Sequence, residues 1–76
     1  MMPLSMVSSG EQVRIVSIRA GWGLQRRLAD MGLTPGLKVR VIRGHRFGAL
    51  VLDVRGSRLA LGRGLARRIM VETEGE

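Results

Sequence analysis

The sequence contains no cysteine and no tyrosine, and only one tryptophan, one phenylalanine and one histidine. Without cysteine, neither a disulfide nor a thiolate zinc site can staple the fold, so packed apolar side chains must hold it together. Aromatics at 3% exclude the clustered aromatic groove that receives proline-rich peptides, and leave Trp22 and Phe47 as the only platforms for base stacking. With His45 as the sole histidine, nucleophilic catalysis has little choice of base, and no two carboxylates lie close together outside the last five residues. Gly21-Trp22-Gly23 and Gly62-Arg63-Gly64 open like dinucleotide fingerprints, but Arg26 and Arg67 stand where the third glycine is required. No Walker A pattern is present. His45 and Asp53 offer two metal donors, fewer than zinc or ferrous iron takes from a chain. The expectation is a protein that is not an enzyme and carries no cofactor and no metal site. No apolar run approaches the ~20 residues of a membrane span. The opening MMPLSMVSSG lacks the basic and long apolar regions of a secretory leader, so a cytoplasmic protein without membrane insertion is expected.

What the chain does have is positive charge. Its 76 residues, 45% of them apolar, suffice for one small packed domain with a net charge of +7. All thirteen basic residues, twelve of them arginine, lie in residues 1–71, where the only acids are Glu11, Asp30 and Asp53. Glu72, Glu74 and Glu76 crowd the end. A basic body points to an acidic partner: nucleic acid, phosphate or an acidic protein face. The arginines form no run, however, and only Arg26-Arg27 and Arg67-Arg68 are adjacent. A solvated basic shell explains such scatter equally well.

Eleven glycines punctuate the chain, a pattern of short strands and tight turns. Val13 to Ile18 is strand-like, with a slip of apolar phase between Ile15 and Val16 of the kind a bulge produces. Leu24, Leu28 and Met31 then recur at i, i+4 and i+7, which predicts a short helix over about 23–31 with Gly23 as N-cap and Gly32 as its left-handed stop. Thr34-Pro35-Gly36-Leu37 suits a type II turn. Leu37, Val39 and Val41 alternate with Lys38, Arg40 and Ile42, giving one apolar and one mostly charged face, and after a glycine-bracketed loop at 44–48 Leu50, Leu52 and Val54 alternate with Val51, Asp53 and Arg55. Gly56-Ser57 predicts a hairpin turn into a strand from Arg58 to Leu61. Residues of about 62–68 read as a single helical or 3-10 turn, Ile69 to Val71 as a closing strand, and 73–76 as a flexible acidic tail. The sum is a mainly β, SH3-like barrel of about five strands occupying residues 4–72, with an OB-type barrel as the longer alternative.

Recognition of another protein is the role these residues leave open. Trp22 at the helix entrance and Phe47 in its loop are large side chains suited either to anchoring a partner or to covering the barrel. Leu24, Leu28 and Met31 share the helical stripe, while Arg26 and Arg27 fall on the outward face. The candidate partner-binding set is therefore Trp22, Leu24, Arg26, Arg27, Leu28 and Met31, with His45, Arg46 and Phe47 as a second contact. Two readings from other classes remain open. One is a basic barrel that binds nucleic acid, at most weakly and without specificity; the other is a homo-oligomer formed through an open barrel edge, although a monomer is expected.

The run Gly23-Leu24-Gln25-Arg26-Arg27-Leu28-Ala29-Asp30-Met31-Gly32-Leu33-Thr34-Pro35-Gly36 resembles the signature of the ferrous iron transport protein A (FeoA) family. The similarity extends from about Leu4 to Val71. It implies a cytoplasmic SH3-like domain that accompanies FeoB, the membrane transporter for ferrous iron with a cytosolic GTP-binding part, as a binding or regulating partner. A GTPase-activating role has been suggested for the family, but no arginine here stands out as a finger. The stretch 44–49 departs from the family pattern, in which many members carry a proline and a longer glycine-rich loop.

Overall fold

The computed structural model describes residues 1–44 and 48–74. Six strands occur among them: β1 (Met2–Pro3), β2 (Gln12–Ile18), β3 (Lys38–Gly44), β4 (Leu50–Val54), β5 (Ser57–Leu61) and β6 (Ile69–Thr73). They form one antiparallel sheet in the order β1-β6-β2-β3-β4-β5. Alternation places Leu37, Val39 and Val41 inside while Lys38 and Arg40 stay exposed, and Leu50 and Leu52 do the same on β4. The sheet wraps a single apolar cluster that includes Val13, Ile15, Ile69 and Val71. With no polar side chain buried in it, this cluster is where burial stabilises the fold. The molecule extends 30 × 29 × 23 Å.

The slip seen in β2 is a register shift against β6 between Ile15 and Ser17, and a second one interrupts β3 against β4 between Val41 and Arg43. Such bulges bend and twist a strand, which lets a short sheet curl around so small a core.

Helix α1 runs from Trp22 to Asp30 and α2 from Arg63 to Ala66. The start of α1 lies earlier than the expected Gly23. Gly21 is the N-cap, and its carbonyl accepts the first helical bond from Gln25 N–H at 3.1 Å. The Gln25 side-chain amide also donates to the carbonyl of Ala20 at 2.7 Å, fixing how the chain enters the helix. At the other end the stop is as expected. Gly32 sits at φ +89° and donates to Ala29 O at 2.9 Å, while Leu33 N–H reaches Leu28 O at 2.9 Å. These are the two bonds of a Schellman motif, and its apolar pair, Leu28 and Leu33, is completely buried. The turn that follows is closed by Leu37 N–H to Thr34 O, with Gly36 at φ +94°. Gly36 N–H then bonds Ile15 O at 2.7 Å, tying the helix exit to β2.

Other details differ from expectation. A sixth strand, β1, adds to the edge beside β6, followed by a 3-10 turn at Leu4–Met6. The β4–β5 hairpin turns at Arg55-Gly56, not Gly56-Ser57, because Val54 pairs with Ser57. Both turn residues have positive φ, 54° and 88°, as a type I′ turn demands. Of the two readings of 62–68 the helical one holds, as α2, whose Arg63 guanidinium donates to Ser5 O at 3.2 Å. Of the residues assigned to a loose tail, Thr73 belongs to β6, and Glu74 just beyond it is held to β2 by its N–H bond to Gln12 O at 3.1 Å. Arg14 lies between Glu72 at 3.3 Å and Glu74 at 3.7 Å, and Lys38 reaches Glu74 at 3.8 Å.

Candidate partner-docking site

Helix α1 has two faces with different uses. Leu28 is completely buried and Leu24 is half-buried against the core, so this side holds the helix to the barrel. Trp22, Gln25, Arg26 and Ala29 occupy a second stripe at i, i+3, i+4 and i+7, and this one meets solvent. Trp22 is 77% exposed, the most exposed large apolar side chain among the described residues.

Between that stripe and the segment leaving the helix lies a groove of about 360 Å³. Ile18, Trp22, Ala29, Leu33 and Pro35 give it an apolar lining, while Gln25, Arg26 and Thr34 supply its polar atoms. The elements place these residues together for reasons already given. Gln25 holds the helix entrance to the end of β2, and the Schellman stop turns Leu33 to Pro35 back along the helix. Arg26 lines the groove, and no ion pair among the described residues reaches it or Arg27.

The expected contact set therefore divides. Trp22 and Arg26 stand together at the groove; Arg27 is exposed on the helix but outside it. Met31 is 41% exposed at the helix C-cap, also outside the groove. Leu28 is withdrawn from the set, because a side chain with no exposed surface cannot touch a partner. His45, Arg46 and Phe47 lie outside the described residues. Ile18, Gln25, Ala29, Thr34 and Pro35 were missed; Leu33 lies beneath the groove, completely buried like Leu28. The signal for half of the groove was available in the second stripe, since Trp22, Arg26 and Ala29 repeat the spacing of Leu24, Leu28 and Met31. The other half depends on how the turn folds back.

Among the described residues, no three His, Cys, Asp or Glu side chains come together in a way that would hold a metal ion. Asp53 is engaged in the hairpin, where its Oδ1 accepts from Gly56 N–H at 2.8 Å. No helix among the described residues is long and apolar enough to cross a membrane.

The topology and the bulged, tightly turned strands define a small SH3-like barrel that carries one helix with an apolar groove beside it. The chain belongs to the FeoA domain family, whose profile matches residues 2–73. It is 44% identical over 72 residues to a protein of Methanocaldococcus jannaschii named Fe(2+) transport protein A, with 95% of this chain and 87% of that one covered. The crystal structure of an iron uptake regulatory protein (FeoA) superposes with a TM-score of 0.88 at 39% identity, covering 93% of this chain and 95% of the other. The solution structure of FeoA from Chlorobium tepidum gives 0.85 at 31% identity, over 97% and 71% of the two chains. The same fold recurs as 40% of the length of a manganese-dependent transcriptional repressor, at 22% identity and a TM-score of 0.85.

Proposed function

We propose that this protein is a cytosolic accessory protein of ferrous iron uptake, which binds and regulates the cytosolic GTP-binding part of an FeoB-type transporter. Membership of the FeoA family carries this reading, supported by relatives named for Fe(2+) transport and iron uptake regulation. The exposed stripe of α1, with Trp22 and Arg26 at its centre and Arg27 and Met31 beside it, is the surface assigned to the transporter. A protruding tryptophan next to arginine is the composition in which binding energy concentrates at protein interfaces. The role is regulatory and requires no iron bound to this chain. In an NMR titration of labelled protein with the transporter's cytosolic segment, empty and bound to a GTP analogue, saturable amide shifts should cluster on residues 22–33. The Arg26→Glu, Arg27→Glu double variant should weaken binding about tenfold or more with its melting curve nearly unchanged. Saturable shifts on the β4–β5 side alone would assign the contact elsewhere, and none in either nucleotide state would overturn the reading for the isolated segment.

A further inference from the structure

The groove beside Trp22 has one charged residue in its lining, Arg26, and no acid. At its β2 end, Ile18 leads into Arg19, whose N–H donates to Arg68 O at 2.7 Å, and Arg68 Nη1 donates back to Arg19 O at 3.5 Å. Arg67 adjoins them in sequence, and Arg26 lines the groove itself. Carboxylates are mostly committed elsewhere. Glu11 accepts from Ser8 N–H at 2.9 Å, and Asp53 from Gly56 N–H at 2.8 Å. Glu72 and Glu74 pair with Arg14 and Lys38 toward the opposite end of β2. Asp30 is the single acid on α1. A second surface hollow, beside Lys38 and Arg40, is polar and already satisfied, because Arg40 donates to Gly10 O at 3.1 Å and Gln12 Oε1 at 3.0 Å.

We infer that the groove receives an apolar side chain from an acidic peptide segment of a partner protein, with Trp22 covering that side chain and Arg26 meeting a flanking carboxylate. This rests on the proposed use of the exposed face of α1 for docking, and adds the chemistry of what docks there. The volume of about 360 Å³ lies at the small end of ligand clefts, which suits one or two side chains. Its apolar lining accepts no charge, while Arg26 in that lining favours a carboxylate beside the inserted residue and disfavours basic segments.

Trp22 is the only tryptophan and there is no tyrosine, so intrinsic fluorescence reports on the groove directly. The probe is a short peptide with a leucine–isoleucine pair between runs of glutamate, compared with versions carrying lysine flanks or a serine pair. The glutamate peptide should shift Trp22 emission to the blue and saturate below about 1 mM. The two altered peptides should bind at least about tenfold more weakly. Arg26→Glu should weaken the glutamate peptide about tenfold, and Ala29→Leu, which fills the groove at an exposed helical site, should abolish the shift. Equal binding of the lysine peptide, or no saturation by about 1 mM, overturns the inference. So does a shift produced by anionic lipid vesicles but not by the peptide, or one that follows the protein's own concentration, which assigns the groove to a second copy. The transporter's cytosolic segment is titrated in parallel. If it binds without sensitivity to Ala29→Leu, the docking chemistry is wrong and the functional reading stands; if the peptide binds and the segment does not, the reverse holds.

Discussion

Trp22 and Leu28 lie on one helix and differ in burial from 77% exposed to none. Substituting each tests whether stability and recognition are carried by separate side chains. Leu28→Ala removes a fully enclosed side chain from the core and should cost about 2–5 kcal/mol in urea unfolding, with the spread set by how far the site collapses. Trp22→Ala removes surface already in water, so its effect on unfolding should stay within about 0.5 kcal/mol. Its loss should appear instead as failure to bind the transporter's cytosolic segment, measured by calorimetry. Arg55 permits a gain. It holds φ at 54° in the hairpin, where side chains other than Asn, Asp and Gly are strained. Arg55→Asn should raise stability by about 0.5–1 kcal/mol, a rise of several degrees in Tm for a domain of this size.

Helix α1 shows at the level of elements what was legible in the sequence. Its stop was readable because Gly32 and the Pro35-Gly36 pair each require a backbone conformation that few other residues adopt. Gly32→Ala forces a β-carbon into φ +89° although no atom lies within 4 Å of it. The penalty is therefore purely conformational, about 1–2 kcal/mol by thermal unfolding. The same substitution loosens the turn that carries Leu33 to Pro35, so it should also weaken docking in the groove. The helix start was less legible: with glycine at both 21 and 23 no capping side chain distinguishes them, and the Gln25 bond to Ala20 decides. β1 is two residues long and has no periodicity to read. The bulge at Val16 was visible as a phase slip, and the one after Val41 carries the same mark, the adjacent apolar pair Val41-Ile42, which a plain alternation over 37–42 conceals. The groove was half legible, since a helical stripe can be counted but the loop that faces it cannot.

The whole molecule carries +7, and its acidic residues are mostly engaged away from the α1 groove. Salt should therefore act on folding and on binding in opposite senses. In the folded state the arginines are held together within a radius of gyration of 11.1 Å, close to the ~10 Å screening length at 0.1 M salt. Self-repulsion among them opposes the compact state, and screening relieves it. The ion pairs of Arg14 and Lys38 work the other way, but they are solvent-exposed pairs and each contributes at most about 1 kcal/mol. Net repulsion wins, so Tm should rise by a few degrees between about 10 and 150 mM salt. Attraction to an acidic segment is screened by the same ions, and its affinity should fall over that range. Apolar insertion beside Trp22 leaves a residue of binding that salt does not remove. Attraction to a single-stranded oligonucleotide has no such residue, because it arises from counterion release along the phosphates, and should vanish near 150 mM. Melting curves and Trp22 titrations at the two salt concentrations separate the three quantities. A Tm that falls with salt would mean that the Arg14–Glu72–Glu74–Lys38 network outweighs the repulsion of the remaining arginines.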